Sequence, residues 1–317
     1  MERTSVSGRS AGTFPRAETT LLEFYGLREQ PFGPTPDPRY LYPSPSHRET
    51  ATALIRGINS GCAFLALIAS PGMGKTSIVT QLLQDLKDTA RTAFLFQTKC
   101  TEREFLQYLA ADLGIADANG NVASIHAKLN ELLVEEAEAG RRVVLVIDEA
   151  QNLSESVLEM VRMLSNFETP HRKLLQIVLS GQPQLADKLS RSSMAQLLQR
   201  ISILCHLKPL TSAEVEGFVN HRLQVAGYLG DSLFPPGTMT SIAKGSRGIP
   251  RLINDICFSS LMKGFEMSSQ TIDVKIVSEV LSDLNLRSLM LEIHTSPVRQ
   301  VPKRRRIASY LRPLLQI

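Results

Sequence analysis

The chain has 317 residues, of which 43% are hydrophobic and 21% charged, the ordinary balance of a globular protein with one large or two modest domains. No apolar run approaches the roughly 20 residues of a membrane helix, and the N-terminus lacks the apolar core of a secretory signal. The composition therefore predicts a cytoplasmic protein, with at most a peripheral attachment at the inner membrane face. The net charge of +4 arises after position 286, where seven basic residues accompany one acid.

The N-terminal region is predicted to contain two segments without regular structure. Residues 1–20 are polar and show no periodicity, which predicts a disordered N-terminus. Residues 21–46 contain six prolines, and each proline disfavours helix at the residue before it, so we expect an extended Pro-rich segment. A helix is predicted for residues 47–59, because its apolar side chains fall on one face.

The first motif with a chemical meaning follows an apolar strand predicted at residues 62–68. Residues 69–76, Ala-Ser-Pro-Gly-Met-Gly-Lys-Thr, form a glycine-bearing turn that opens a helix, the layout of a phosphate-binding (Walker A) loop in which alanine replaces the usual first glycine. Backbone N–H groups at such a helix start bind phosphate oxygens, Lys75 is expected to reach the β- and γ-phosphates of ATP, and Thr76 to ligate Mg²⁺. The predicted nucleotide-binding residues here are Ser70, Pro71, Gly72, Met73, Gly74, Lys75, Thr76 and Ser77.

A second motif has the form of a Walker B segment. The predicted strand at residues 142–147 is continuously apolar, as expected for a parallel strand covered on both faces, and it ends in two carboxylates. Asp148 is expected to hold Mg²⁺ through its water shell. Glu149 is expected to orient and deprotonate the attacking water, since hydrolysis needs a base within hydrogen-bond reach of the nucleophile.

Strands and helical patterns alternate around these motifs. This alternation predicts an α/β fold over residues 47–210 with a parallel five-stranded sheet flanked by helices, and the two motifs within it indicate a P-loop NTPase domain. The remaining predicted strands are 92–97, 174–180 and 201–207, and the predicted helices are 75–88, 101–113, 122–139, 154–166, 183–189 and 194–199.

The pattern changes after Leu210, because helices then follow one another without a strand. They lie at 211–226, 238–244, 249–264 and 273–284, and they predict a small all-helical lid domain over residues 211–285. Residues 286–317 form a basic C-terminal tail with four cations beside an amphipathic end. This tail is expected either to stay solvated or to make weak, salt-sensitive contact with anionic lipid or DNA.

From about residue 22 to residue 284 the chain resembles the AAA+ ATPases of the general secretion pathway protein A (ExeA-like) family. The phosphate-binding loop alone indicates only the wider superfamily, whereas the blocks at 147–153 and 179–185 together narrow the resemblance to this family. The matching segments are Phe24-Tyr-Gly-Leu27, the Pro-rich run from Pro31 to Tyr42, His47-Arg-Glu49, Gly72-Met-Gly-Lys-Thr76, Ile147-Asp-Glu-Ala-Gln-Asn-Leu153, Leu179-Ser-Gly-Gln-Pro-Gln-Leu185, Gln199-Arg-Ile201, Leu207-Lys-Pro-Leu210 and Gly245-Ser-Arg-Gly-Ile-Pro-Arg-Leu-Ile-Asn254.

The resemblance implies roles that spacing alone does not assign. Ser180 or Gln182, beside the Walker B strand, is expected to help place the attacking water, and Gln182 is preferred. Arg200 occupies the position of an arginine finger, a cation that reaches the γ-phosphate bound to a neighbouring subunit. Arg251, at the start of a lid helix, is expected to act as the second sensor when the lid closes over the nucleotide.

Two further expectations concern the surroundings of the site. The segment at residues 40–49 is expected to line the adenine pocket. Gln97 or Thr98, at the end of the second strand, is expected to hold Glu149 idle.

The resemblance implies Mg²⁺-dependent ATP hydrolysis by a homo-oligomer that acts on an unidentified protein partner. Three hypotheses for that work stay open: assembly or energising of an envelope secretion or export system, a DNA-associated role like that of transposition ATPases, and an ATP-binding switch with little turnover. Relatives of this type often continue into a membrane-spanning helix and a peptidoglycan-binding domain, neither of which is expected in these 317 residues.

Overall fold

The computed structural model describes residues 20–33, 37–115, 121–170 and 172–295, with the backbone alone at Pro38 and over 285–295. The predictions of a disordered N-terminus over residues 1–19 and of a basic tail beyond residue 295 lie outside these described residues. The helices are α1 (Leu21–Tyr25), α2 (Pro45–Asn59), α3 (Lys75–Leu86), α4 (Glu102–Asp112), α5 (Val122–Glu138), α6 (Glu155–Leu164), α7 (Pro183–Leu189), α8 (Ala195–Leu198), α9 (Ser212–Val225), α10 (Pro236–Ser246), α11 (Pro250–Glu266) and α12 (Val274–Thr295). The strands are β1 (Phe64–Ile68), β2 (Ala90–Leu95), β3 (Arg142–Ile147), β4 (Glu168–Thr169), β5 (Arg172–Lys173), β6 (Leu175–Gly181) and β7 (Ile201–His206).

The main sheet consists of five parallel strands in the spatial order β2-β3-β6-β1-β7. Every residue of β1 and β6 is buried, which explains why β1 is continuously apolar in sequence and why β6 is apolar except at Gln176 and Ser180. Ile68 pairs with Gly181 and Ile147 with Leu179, so β1, β6 and β3 end at the same edge. The segments that follow β1 and β3 therefore lie on either side of the end of β6. The predicted α/β fold with a parallel five-stranded sheet is confirmed.

Two apolar layers cover the sheet because neighbouring strand residues point to opposite faces. On one face, Leu65 and Leu67 of β1 pack with buried residues of α2 and α3. On the other face, Phe64 and Ala66 pack with buried residues of α4, α5, α6 and α7. Helix α3 is fixed on its buried side by Ile78, Val79, Leu82 and Leu86, and the loop before it is held against the sheet edge.

The chain after Leu210 forms a second core made of helices α9 to α12. The Pro-rich segment joins this core rather than the sheet, because Tyr25, Phe32 and Tyr40 are buried in it. The buried guanidinium of Arg222 on α9 donates to the carbonyl oxygen of Pro31 at 2.5 Å and lies over the ring of Tyr40 at 4.7 Å. The predicted all-helical lid is confirmed. It also packs against the Pro-rich segment, which precedes the sheet domain in the sequence. Within the described part of the chain, no helix combines the length and apolar composition needed to cross a bilayer.

The sequence predicts that the Pro-rich segment is extended throughout, and this prediction is wrong for its first residues. Residues 21–25 form helix α1, because Thr20 and Glu23 make a capping box and Gly26 ends the helix in a left-handed conformation (φ 66°). The prolines that suggested extended structure begin only at residue 31. Helix α2 also starts earlier than predicted, at Pro45, because Ser44 caps it and proline is favourable in a first helical turn.

Other elements also differ from the sequence prediction. Strand β2 ends at Leu95, so the predicted strand residues 96 and 97 lie in the following loop. A short antiparallel pair, β4 and β5, precedes β6 and has no apolar alternation that could have revealed it. Helix α12 continues to Thr295, past the predicted end at residue 284.

Candidate nucleotide site

A cavity of about 370 Å³ lies between the carboxyl edge of the sheet and the helical lid. Its walls come from four parts of the chain: the loop between β1 and α3 with the start of α3, the Pro-rich segment with the start of α2, the residues that follow β3 and β6, and the lid helices α9 and α11. The residues that line it include Asp37, Tyr40, Leu41, Tyr42, His47, Pro71, Gly72, Gly74, Lys75, Thr76, Ser77, Glu149, Gln182, Leu210, Phe218, Arg222, Pro250, Arg251, Asn254 and Asp255. The cavity therefore joins the two motifs that the sequence analysis singled out.

The phosphate-binding loop takes a conformation that depends on its two glycines. Gly72 and Gly74 have φ values of 79° and 92°, in the left-handed region that side-chain-bearing residues rarely adopt. A Cβ at Gly72 would lie 2.7 Å from the Cβ of Arg251, so only glycine lets the lid helix approach this closely. Lys75 begins α3 and is only 7% exposed, although it lies beside the cavity. The loop thus presents backbone N–H groups, a helix start and a cation to one volume.

His47 fixes the loop from the side of α2. Its Nε2 lies 3.1 Å from the carbonyl oxygen of Met73, and its Nδ1 lies 2.7 Å from Ser44 Oγ. Both contacts are satisfied if Nε2 carries the proton, with Ser44 donating to Nδ1. Burial lowers the pKa of His47 below its usual value, which favours this neutral form. A Cβ at Gly74 would lie 3.0 Å from the same Nε2, so the imidazole and the glycine are packed against each other.

Asp148 and Thr76 lie together at the end of β3 and the start of α3. Thr76 Oγ1 donates to Asp148 Oδ2 at 3.3 Å, and Ser180 Oγ donates to Asp148 Oδ1 at 2.7 Å. These oxygens fit Mg²⁺, which prefers oxygen ligands and is bound through one or two protein groups together with phosphate and water. Among the described residues, no group of three or more His, Cys, Asp or Glu is placed to hold a metal by itself.

Glu149 leaves β3 in a left-handed conformation (φ 51°), which turns its side chain toward the cavity. Its Oε1 lies 3.6 Å from Lys75 Nζ, and its Oε2 accepts hydrogen bonds from Gln151 Nε2 at 2.6 Å and Gln182 Nε2 at 3.0 Å. Burial acts to raise the pKa of this carboxyl, but the two glutamines and the charge of Lys75 outweigh it, so the pKa lies below its usual value. Glu149 is therefore ionised at neutral pH and able to accept a proton.

The two candidates for the polar sensor contact different carboxylates. Gln182 touches Glu149, whereas Ser180 is fully buried and touches Asp148. The structure thus brings both residues to the acid pair, and the choice of Gln182 for the attacking water stays a prediction. Within the described chain, the hydrogen bonds to Glu149 come from residues other than Gln97 and Thr98, so neither of these holds it idle in this state.

Arg251 connects the lid to the phosphate-binding loop. It lies in the first turn of α11, and its backbone N–H donates to the carbonyl oxygen of Gly72 at 3.2 Å. Its side chain is exposed and lines the cavity beside Pro250 and Asn254. The position suits a cation that would reach a phosphate, and its role as the second sensor stays a prediction.

Arg200 lies outside the cavity. Its Nη1 donates to Ser165 Oγ at 2.7 Å and to Asn166 Oδ1 at 2.6 Å, at the end of α6. This side chain therefore cannot serve the nucleotide site of its own chain in this arrangement. The predicted role as an arginine finger requires a neighbouring subunit, and it is carried forward as a proposal.

Ser70 and Met73 differ from the other predicted loop residues. Ser70 is exposed at the loop start, and the side chain of Met73 is buried against α2 and α3, so within the described chain neither lines the cavity.

Conversely, the sequence analysis missed three contacts: His47 at the loop, Gln151 at Glu149, and the buried Arg222 beside Tyr40. His47 and Gln151 lie in polar stretches that matched the resemblance, but nothing in the linear sequence links them to their partners.

Comparisons with known proteins agree with this geometry. The AAA domain family matches residues 56–189, which include both motifs. General secretion pathway protein A of Aeromonas hydrophila is 38% identical over 251 residues, covering 79% of this chain and 46% of that protein, so the chain spans about half the length of this relative. The structure of the Aeropyrum pernix ORC2 protein in ADPNP-ADP complexes superimposes with a TM-score of 0.59 at 15% identity, covering 80% of this chain and 71% of that one. The Drosophila ORC bound to DNA gives a TM-score of 0.63 at 16% identity, covering 94% and 74%.

A helical lid that closes one side of a phosphate-binding loop is the arrangement of AAA+ P-loop proteins, and the chain is a member of that class. The likeness to the two ORC structures concerns the fold. The sequence identity goes further, because it extends from the phosphate-binding core over most of the chain. The comparisons confirm the resemblance noted in the sequence to the AAA+ ATPases of the general secretion pathway protein A (ExeA-like) family.

Proposed function

We propose that the protein binds ATP with Mg²⁺ in the cavity between the sheet and the lid and hydrolyses it. One observation supports this most: Lys75, Thr76 and Glu149, from two separate motifs, line one cavity next to Arg251 of the lid, and Thr76 contacts Asp148 behind it. Equilibrium binding of ATP with and without Mg²⁺, combined with phosphate release, tests the proposal. Saturable, Mg²⁺-dependent binding is expected, and its absence would refute the nucleotide site altogether.

Different residues of the site would bind the nucleotide and remove the proton from the attacking water. The loop amides and Lys75 would bind the phosphates, which draws the ammonium of Lys75 away from Glu149. Glu149, held by Gln151 and Gln182, would then accept the proton of the attacking water. Bound Mg²⁺, at Thr76 and Asp148, would supply charge neutralisation to the β- and γ-phosphates. Because the chemistry depends mainly on positioning and charge, few side chains are required.

Hydrolysis is proposed to occur in a homo-oligomer, with Arg200 of one subunit completing the site of the next. The support is that Arg200 is part of the matched core but points away from its own cavity. A guanidinium suits this role because it is permanently charged and binds phosphate oxygens in pairs.

Replacement of Arg200 by alanine is expected to lower ATP hydrolysis at least about 100-fold while ATP affinity stays within about threefold, since the group acts on a neighbour's transition state. Mixing the Arg200→Ala and Lys75→Ala chains should restore part of the activity, because each supplies what the other lacks. The readout is phosphate release across a range of mixing ratios. Mixtures that never exceed the sum of the separate chains would contradict a shared site.

The biological role proposed first is the assembly or energising of an envelope secretion or export system. It is supported by the identity to general secretion pathway protein A, which covers the ATPase core. In this role the protein would work in the cytoplasm, at times peripherally at the inner membrane face, and its ATP cycle would change the geometry of a protein partner. Affinity capture with a Glu149→Gln chain in ATP is the direct test, because that chain should remain in the ATP state. Recovery of envelope export components only in ATP would support this role.

A DNA-associated role is the second candidate, and a charged surface favours it. Arg141, Arg142, Arg172 and Lys173 line a cavity of about 340 Å³ at the amino edge of the sheet, opposite the nucleotide site. Arg141 and Lys173 have carboxylate partners, whereas Arg142 and Arg172 are exposed. Binding through such cations weakens steeply with salt. ATP-dependent retention of duplex DNA at both low and moderate salt, reduced by Arg142→Ala with Arg172→Ala, would favour this role over secretion.

A third candidate is a switch that binds ATP with little turnover. It shares the nucleotide site with the other two proposals and differs only in the rate of phosphate release. Negligible release with every partner and with DNA, while ATP binding persists, would favour this reading.

A further inference from the structure

The turn that follows β3 contains a polar side chain that the proposed mechanism does not yet use. Residues 150–152 form a single 3-10 turn after Glu149, and Gln151 lies in its middle with its side chain half-buried. The amide of Gln151 makes two hydrogen bonds. Its Nε2 donates to Glu149 Oε2 at 2.6 Å, and its Oε1 accepts from the backbone N–H of Gln182 at 3.0 Å. One side chain therefore bridges the end of β3 and the end of β6.

The side-chain N–H of Gln151 holds the carboxylate of Glu149 against the electrostatic attraction of Lys75. The carboxylate of Glu149 has Lys75 on one side at 3.6 Å and the two glutamine amides on the other. Gln182 can reach the same oxygen at 3.0 Å, but it is the longer of the two contacts. Without Gln151, the carboxylate would be free to rotate toward Lys75, since a charge-assisted contact is the strongest alternative available to it.

The acceptor side of the same amide ties Glu149 to helix α7. Gln182 is the N-cap residue of α7, and its backbone N–H donates to Gln151 Oε1. From within the same helix, Lys188 donates through Nζ to the carbonyl oxygens of Gln151 at 2.6 Å and Leu153 at 2.5 Å. The turn is thus held to α7 at both ends. A Cβ at Gly181 would lie 3.0 Å from Gln151 Oε1, so the bridge packs closely against the backbone at the end of β6.

We propose that Gln151 is a positioning residue, which holds the carboxylate of Glu149 at a fixed distance from Lys75 and couples it to the start of α7. The proposal deepens the function given above and rests on it. Gln151 does not line the nucleotide cavity, so it acts on the reaction through Glu149. It follows that the amide contributes to the rate of hydrolysis and not to the affinity for ATP.

The test uses Gln151→Leu, which keeps the side-chain volume and removes both hydrogen bonds. We expect kcat to fall at least about tenfold, the effect of losing one hydrogen bond to a charged group, while KM for ATP and Kd for a non-hydrolysable ATP analogue stay within about twofold. Gln151→Glu retains an acceptor for the Gln182 N–H but replaces the donor with a second carboxylate, so it should lose at least as much. The matched control is Asn152→Ala, exposed on the same turn, which should keep the rate and the thermal unfolding midpoint of the wild type.

A double variant separates positioning from a general structural effect. In single-turnover experiments, Gln151→Leu should lower the rate of the wild type but not that of Glu149→Gln, because it acts only through that carboxylate. Equal losses in both backgrounds, a wild-type rate for either Gln151 variant, or a parallel loss of analogue affinity would overturn the inference while ATP hydrolysis by the wild type stands. A wild-type chain that binds ATP but never hydrolyses it would overturn the proposed function, and the inference with it.

Discussion

Replacement of Lys75 by alanine is expected to raise the dissociation constant for ATP at least about 100-fold, close to the loss of 3 kcal/mol of binding free energy. Lys75 is the first residue of α3, and its ammonium is held in a nearly buried position beside the loop amides. A phosphate in this loop would meet the cation at short range in a site shielded from water, where a charge-assisted contact is strong. The measurement is equilibrium binding of a fluorescent ATP analogue in the presence of Mg²⁺.

The free protein should tolerate this replacement. The partner that loses its cation, Glu149, is more than one-third exposed and keeps its two glutamine contacts, so it is not left buried and unpaired. The thermal unfolding midpoint without nucleotide should therefore match the wild type, whereas the rise in midpoint produced by ATP should disappear. Lys87→Ala, at the exposed end of the same helix, is the control and should bind ATP normally. Tight ATP binding by the Lys75 variant would contradict the assigned site.

The parts of the fold that could be predicted from sequence are those in which burial alone determines the pattern. Strands β1 and β3 are apolar at nearly every position because parallel strands are covered on both faces, and the predicted strand at residues 142–147 matches β3 at both ends. Strand β2 was less distinct. It is partly exposed, with buried and half-buried positions alternating, and its boundaries were placed two residues late.

Contacts between distant segments could not be predicted, because they depend on the path of the chain. The Pro-rich segment was expected to be extended, with no indication of what it packs against, yet Tyr25 donates to the carbonyl oxygen of Leu261, 236 positions later. Buried Arg222 donates to the carbonyl oxygen of Pro31, and no sequence motif links these two distant residues. Such contacts carry no periodic signal, and they explain why the attachment of this segment to the lid became evident only in three dimensions.

In the candidate site, too, some features could be predicted from the sequence and others could not. Motif spacing predicted that the phosphate-binding loop and the acid pair lie together, and the loop and Glu149 do line one cavity, because parallel strands end at a common edge. Spacing could not identify what holds Glu149, because β3 lies between β2 and β6 and the residues that follow either strand are candidates. The end of β6, on the other side of β3, supplies Gln182 instead, and the turn itself supplies Gln151.

The largest effect on turnover is expected from Glu149→Gln, which should lower the rate of ATP hydrolysis at least about 100-fold. An amide has nearly the same shape as the carboxylate but cannot accept a proton from water. The measurement is phosphate release at saturating ATP and Mg²⁺, with Glu135→Gln, exposed on α5, as the matched control.

Binding of ATP should survive this replacement and should become tighter. In the free protein the ammonium of Lys75 lies 3.6 Å from the carboxylate of Glu149, and a bound phosphate would have to compete with that carboxylate for it. Removing the negative charge leaves Lys75 available to the phosphate alone, which also lowers the charge repulsion between Glu149 and the nucleotide. A dissociation constant equal to or below that of the wild type is therefore expected, together with retention of unhydrolysed ATP after gel filtration. Unchanged hydrolysis would show that another group removes the proton, and loss of ATP binding would show that Glu149 supports the pocket rather than the reaction.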